Sequence, residues 1–174
     1  MKRLAVVVAL LMLTSCSAPS ENIAGQVVSC SGLTSITTEN SIVLGCLDGN
    51  AGASIDGIKG PAIINVWGSW CGPCKQEIPI FRSFYSKAKE EVELIGVDVE
   101  EASIDDGRSF VENNGITWPN LYDPDGASRT YFGMGVPVTW FISADGSVAY
   151  KHIGVLKNEI ELITLTSKYL GVKL

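Results

Sequence analysis

The sequence has very few side chains of the kind that bind transition metals. It contains one histidine, His152, and no second C-x-x-C besides the pair formed by Cys71 and Cys74. Zinc sites in proteins are built mainly from three or four histidine and cysteine ligands. The sequence therefore predicts no metal site, and no motif in it indicates a bound cofactor.

Basic side chains are also scarce. The 13 lysines and arginines are outnumbered by 19 acidic side chains, which gives a net charge of −6. Without Lys2 and Arg3, which belong to the N-terminal segment described below, the balance is 11 against 19, or −8. Nucleic acids and anionic lipid surfaces are bound through clustered Lys and Arg, and the sequence has no such stripe. We therefore expect no nucleic-acid partner and no electrostatic attachment to a membrane.

Long hydrophobic runs are absent as well. The apolar run at residues 4–13 has ten residues, and as a helix it would rise about 15 Å, half of a hydrocarbon core of about 30 Å. Because it follows Lys2 and Arg3, it predicts a signal peptide. The next residues, LTSC at 13–16, resemble the lipobox of bacterial lipoproteins. This resemblance implies that Cys16 is acylated and becomes the mature N-terminus; the alternative is an ordinary secretory signal with an incidental cysteine.

These features divide the chain into three predicted parts. Residues 1–15 are the signal peptide, residues 16–28 a small and polar tether anchored to lipid at Cys16, and residues 29–174 one folded domain. A total of 174 residues suits a single domain with short appendages. We expect the domain to lie outside the cytoplasm, held at the cell membrane as a lipoprotein.

The five cysteines can be assigned by parity and compartment. If Cys16 carries lipid, four remain, and Cys71 and Cys74 form a C-x-x-C pair. Disulfides persist in exported proteins, so the remaining two, Cys30 and Cys46, are predicted to form a structural disulfide. Such a bond would close a loop of about 15 residues, contributing about 3 kcal/mol in the chain-entropy model. The alternative is a pair of unrelated buried thiols.

Hydrophobic periodicity predicts an α/β fold. Residues 62–67 (AIINVW) are short, β-branched and nearly all apolar, as expected of a central strand buried on both faces. Apolar residues then recur at helical spacing after Cys74. Residues 49–60 are turn-rich. Further strands are predicted at 41–48, 92–97, 120–122, 138–142 and 148–153, and helices at 73–90, 103–114, 127–132 and 157–170.

The C-x-x-C pair lies where the predicted central strand gives way to a helix. Cys71 is therefore placed at a helix N-terminus, where free backbone N–H groups and the helix dipole favour a thiolate. Thiol–disulfide exchange requires that thiolate. Pro73 suits the first helical turn because its missing N–H would have no partner there, and Gly72 and Pro73 make the turn compact enough for Cys74 to reach Cys71. The pattern predicts a redox-active dithiol rather than half of a zinc site.

At this point a family resemblance becomes specific. The segment WCGPC at 70–74 is the thioredoxin active-site motif, and GVPVT at 135–139 resembles the cis-proline loop of the same family. The resemblance implies a thioredoxin fold, a central mixed sheet flanked by helices, over roughly residues 40–174. It also implies that Pro137 is cis and that Val136 flanks an extended client segment, with Trp70 exposed beside the thiols.

Within thioredoxin-like proteins the chain resembles the TlpA/ResA group of extracytoplasmic reductases. It shares the exported N-terminus, an extra helix and strand between residues 102 and 122, and an acidic residue, Glu77, three positions after Cys74. Cytosolic thioredoxins carry a buried Asp where this chain has Asn65, which cannot accept a proton. The group resemblance implies that Glu77 takes that part; the alternative is a solvated helix residue.

The expected function is that of a thiol–disulfide oxidoreductase, working as a reductase on exported proteins, with apocytochrome c among the candidate clients. A membrane electron donor would recycle the dithiol, and we expect a monomer. One alternative is a copper-delivery lipoprotein of thioredoxin fold, but such relatives use C-x-x-x-C and a distant histidine. Another is a peroxidase, but its Thr-x-x-Cys site is absent from the sequence.

Overall fold

The computed structural model describes residues 24–133 and 135–174. The predicted signal peptide, most of the predicted tether and the lipidation site Cys16 lie outside the described residues. Within the two described ranges, no helix is both long enough and apolar enough to cross a membrane.

The described residues contain one mixed β-sheet. Its seven strands are β1 (Val43–Cys46), β2 (Ala51–Ser54), β3 (Ala62–Trp67), β4 (Glu93–Val99), β5 (Asn120–Asp123), β6 (Val138–Ile142) and β7 (Val148–Ile153). Their order across the sheet is β2-β1-β5-β4-β3-β6-β7. The three central strands β5, β4 and β3 are parallel, whereas β1, β2, β6 and β7 pair in antiparallel fashion. This mixed sheet, with its antiparallel hairpin β6–β7, confirms the predicted α/β class.

Four α-helices lie within the described ranges; three connect strands and the fourth follows β7. They are α1 (Gly72–Ala88), α2 (Ile104–Asn113), α3 (Arg129–Phe132) and α4 (Glu159–Leu170). Each lies where periodicity predicts a helix, and each end falls within two residues of the predicted one. Helix α2 and strand β5 form the predicted insert between β4 and α3.

Both faces of the sheet are covered, so that β3 is buried on both sides. Helices α1, α2 and α4 pack over one face, where Trp67 stacks on Phe110 of α2 with 4.8 Å between ring centroids. Ile64 and Val66 face a second apolar cluster on the other side. All six residues of β3 are buried, which confirms the prediction of a central strand covered on both sides. The start of α1 is therefore held at the end of a fully buried strand.

The turn-rich residues 49–60 contain a strand that the sequence pattern does not predict. Strand β2 lies there, followed by a 3₁₀ turn at Ile55–Gly57. The strand's sequence, AGAS, has no apolar alternation, so its extended shape comes from pairing with β1. Gly52 permits that close pairing, because a β-carbon there would collide with the carbonyl oxygens of Leu44 and Gly45. Such pairing depends on the partner strand rather than on local propensity.

The N-terminal segment is attached to the domain at several points. The Gly25 amide donates to the Glu112 carbonyl at 2.8 Å and the Gln26 amide to the Ile116 carbonyl at 2.9 Å. A disulfide joins Cys30 to Cys46 at the end of β1, with the two Cα atoms 5.8 Å apart. The packed part of the chain thus begins by residue 25, before the predicted domain boundary at 29.

Candidate active site

The end of β3 places Cys71 at the beginning of α1. The Cys71 amide donates to the Gly68 carbonyl at 3.0 Å, which closes a turn between strand and helix. Cys71 has extended backbone angles and is the N-cap residue of α1, with Pro73 in the first turn. Its Sγ atom accepts a hydrogen bond from the Cys74 amide at 3.1 Å. A sulfur at this position is the one that a helix N-terminus stabilises as a thiolate.

Cys71 and Cys74 are joined by a disulfide, with Cα atoms 5.3 Å apart. Cys71 is 4% exposed and Cys74 is 1% exposed, whereas Trp70 beside them is 56% exposed. The Trp70 indole N–H donates to the Val99 carbonyl at 3.2 Å. The indole lies over Gly68, since a β-carbon there would be only 2.6 Å from its nitrogen. Trp70 therefore forms an apolar edge beside the disulfide while remaining tied to β4.

The cis-proline loop lies against the same cluster. The Val136–Pro137 peptide bond is cis, and Val136 packs on the apolar cluster that contains Cys71 and Cys74. The Pro137 carbonyl accepts a hydrogen bond from the Gly154 amide at 3.0 Å. The loop is thereby fixed to the residues that follow β7. These contacts bring together the two motifs that the sequence separates by more than 60 residues.

Glu77 is buried beneath α1, one helical turn after Cys74. Glu77 is 0% exposed, and its Oε1 accepts a hydrogen bond from the Leu156 amide at 2.7 Å. Oε2 has no hydrogen-bond partner among the described residues. Burial raises the pKa of Glu77 from 4.5 to about 7, although the Leu156 amide and the nearby Asn65 side chain oppose the rise. The alternative of a solvated helix residue is therefore wrong, and Glu77 can exchange a proton near neutral pH.

Sequence reasoning missed a second group of polar residues beside the dithiol. Asp98 in β4 is 0% exposed and Glu101 is 8% exposed. The Glu101 carboxylate accepts hydrogen bonds from the amide of Ser69 and, at 2.7 Å, from its hydroxyl. Ser69 lies two residues before Cys71. The available signal was a carboxylate, Asp98, near the end of a largely apolar strand, where an isolated charge is costly.

The site has no grouping that suggests a bound metal. Over residues 24–133 and 135–174, no three His, Cys, Asp or Glu side chains lie close enough together to bind an ion. The single histidine, His152, lies on β7, on the far side of β6 from the strand that leads into the dithiol. The arrangement supports the chemistry of the two sulfurs and of the carboxyl groups near them.

Comparison with known proteins agrees with this geometry. Residues 44–151 match the AhpC/TSA family. Thiol-disulfide oxidoreductase ResA of Bacillus thuringiensis (strain Al Hakam) is 35% identical over 100 residues, which are 56% of this chain and 57% of that protein. ResA of Geobacillus thermodenitrificans (strain NG80-2) is 30% identical over 125 residues, 71% of each chain. The match thus spans a little over half the length of the Bacillus relative.

Solved structures show the same fold. Thiol:disulfide interchange protein, thioredoxin family protein, from Chlorobium tepidum TLS superposes with a TM-score of 0.63 at 22% identity, covering 82% of this chain and 100% of that one. StoA from Bacillus subtilis gives a TM-score of 0.59 at 26% identity, covering 73% and 96%. These likenesses confirm the thioredoxin-like fold. The chain belongs to the AhpC/TSA family and is a thioredoxin-like relative of the ResA thiol–disulfide oxidoreductases.

Proposed function

We propose that the protein is a thiol–disulfide oxidoreductase that reduces disulfides in exported proteins through Cys71 and Cys74. The observation that carries this proposal is the position of the Cys71 sulfur at the N-terminus of α1, where it accepts the Cys74 amide N–H at 3.1 Å. The same donor can stabilise a Cys71 thiolate in the reduced protein. The names of the ResA relatives support this chemistry.

The proposed reaction transfers two electrons from the dithiol to a client disulfide. The Cys71 thiolate attacks one client sulfur, the client S–S bond breaks, and the departing client thiolate takes up a proton. The Cys74 thiol then loses its proton and attacks the Cys71 sulfur of the mixed disulfide. The second client sulfur leaves as a thiolate and is protonated, and the Cys71–Cys74 disulfide forms. A membrane electron donor would return the pair to the dithiol.

Glu77 is the proposed acceptor of the Cys74 proton. It lies three residues after Cys74 on α1, and its buried carboxyl group has a pKa raised to about 7. A group with a pKa near the working pH exchanges protons most effectively. Asn65, the neighbour that bonds to Thr139 at 3.4 Å, has no acidic proton of its own to exchange. Glu77 therefore supplies the acid–base group that Asn65 cannot.

We also propose a location outside the cytoplasm and exported client proteins. The signal-peptide pattern and Cys16 support an extracytoplasmic domain tethered by lipid, and Val136 and Pro137 support an extended client segment laid beside Trp70. Candidate clients are exported proteins with disulfides, including apocytochrome c. Gly72 and Pro73, in the first turn of α1, complete the proposed active-site motif.

Trapping of the mixed disulfide tests the proposal directly. In the full-length protein, Cys74→Ser removes the resolving thiol and should leave clients attached to Cys71, whereas Cys71→Ser should abolish these adducts. The reduced wild type should also reduce insulin disulfides. Absence of both adducts and insulin reduction, together with stoichiometric binding of Cu(I), would refute the proposal in favour of copper delivery.

A further inference from the structure

The Asp98 carboxyl group is buried and accepts no hydrogen bond from the described residues. It is in register with Trp67 on β3 and with Tyr122 on β5, and α2 covers it at Gly107, where a β-carbon would collide with Oδ2. Neither Asp98 oxygen receives a hydrogen bond from any residue in the described ranges. An ionised carboxylate in such a place would lose its hydration without compensation.

The charged groups that face Asp98 are acidic. Glu101 lies close enough to share a hydrogen bond with it, and Asp106 on α2 adds a further negative charge. Tyr122 contributes a phenol from β5. Arg108 on α2 is bonded elsewhere, to the Leu47 carbonyl at 2.8 Å and to Asp105 at 3.1 Å. These surroundings favour a neutral Asp98.

The two carboxyl groups differ in what they accept. Glu101 accepts two hydrogen bonds from Ser69, whereas Asp98 accepts none from the described residues. A buried carboxyl group that accepts no hydrogen bonds retains its proton more readily than one whose oxygens accept them. Burial, together with the hydrogen bond and charge of Glu101, raises the pKa of Asp98 to about 9.

Glu101 and β4 hold the turn that carries the dithiol. Glu101 accepts from the amide and hydroxyl of Ser69, and the Val99 carbonyl accepts from the Trp70 indole at 3.2 Å. Both contacts tie the residues just before Cys71 to the end of β4. A change at Asp98 would therefore reach the active site through Glu101 and Ser69.

We propose that Asp98 is a protonated carboxylic acid that donates a hydrogen bond to the Glu101 carboxylate, and that this pair is a positioning element for the Ser69–Trp70 turn beside Cys71. Loss of the Asp98 proton would place two negative charges side by side beneath the turn and weaken its attachment. The pair is separate from Glu77 and takes no part in exchanging electrons. Only the effect on Cys71 rests on the proposed function.

Infrared spectroscopy of the oxidised full-length protein tests the protonation without relying on activity. In this form Cys71 and Cys74 do not titrate. We expect a carboxylic-acid C=O stretch at about pH 8, well above the ordinary pKa of Asp, that is lost in Asp98→Asn and retained in Glu77→Gln and in the exposed control Glu112→Gln. Absence of the band in the wild type, or its survival in Asp98→Asn, would overturn the proposal.

Alkylation of Cys71 in the reduced protein tests the positioning. Asp98→Asn keeps a donor toward Glu101, so its alkylation rate at about pH 7 should stay near the wild-type rate. Because Asn cannot ionise, raising the pH to about 10 should weaken the attachment of the turn, and slow alkylation, less in this variant than in the wild type. Asp98→Leu and Glu101→Gln weaken the contact and should react about fivefold more slowly, the effect of one lost internal hydrogen bond. Equal rates in Asp98→Asn and Glu101→Gln would contradict the positioning role, even if Asp98→Leu fails to fold.

Discussion

Replacement of Glu77 by glutamine should change how the stability of the oxidised protein depends on pH. The native protein holds the Glu77 proton more tightly than the unfolded chain, because burial raises the pKa from 4.5 to about 7. Raising the pH from below 4.5 through about 7 therefore lowers the free energy of unfolding, and above that range the whole stability contribution of the protonated Glu77 has been lost. Glutamine has no such titration, yet its amide oxygen can still accept the hydrogen bond from the Leu156 amide that Oε1 accepts at 2.7 Å.

The size of this effect follows from the two pKa values. The difference between 4.5 and about 7, at about 1.36 kcal/mol for each pKa unit, corresponds to about 3 kcal/mol. We expect the free energy of unfolding of Glu77→Gln, minus that of the wild type, to rise by about this amount between about pH 4 and pH 8. Subtraction removes the contributions of Asp98 and of the surface groups, which both proteins share.

Urea unfolding of the oxidised protein at a series of pH values measures this difference. The oxidised form is used because neither active-site sulfur titrates in it. Glu90→Gln, at an exposed position just beyond α1, is the matched control and should leave the difference nearly constant with pH. A Glu77→Gln difference that stays within about 0.5 kcal/mol over the range, the usual size of a surface substitution, would show that burial does not shift the titration of Glu77.

Three further predictions concern the anchor, the second disulfide and the Trp70 edge. Cys16→Ser should move the protein from the membrane fraction to the soluble fraction; unchanged fractionation, or a wild-type intact mass without acyl chains, would contradict lipidation. Replacing both Cys30 and Cys46 by serine should lower the free energy of unfolding by about 3 kcal/mol in urea titrations, and peptide mapping should find them linked after mild reduction has opened the active site. Gly68→Ala should displace the Trp70 indole, whose nitrogen would lie 2.6 Å from the new carbon, and slow insulin reduction with little change in Tm.

The local part of the active site could be predicted from the sequence. A buried strand, a short turn and a helix with Pro73 in its first turn are encoded by neighbouring residues. The three-residue spacing then puts Cys71 at the N-cap and within bonding distance of Cys74. Strand β2 was missed, because AGAS has little strand propensity and its conformation depends on β1.

The burial and hydrogen bonding of the carboxyl groups beneath the dithiol depend on contacts that sequence patterns do not reveal. Glu77 accepts its hydrogen bond from Leu156, 79 residues away, and Glu101 accepts from Ser69, 32 residues away. Whether such a side chain is solvated or buried determines its pKa.

The sequence by itself determined the dithiol, its place at a helix start and the α/β order, because these depend on short-range spacing and periodicity. Only the tertiary structure decided that Glu77 and Asp98 are buried and that Glu101 holds the turn before Cys71. The physical reason is that desolvation and hydrogen bonding of a carboxyl group depend on which distant segments close around it when the sheet and helices pack.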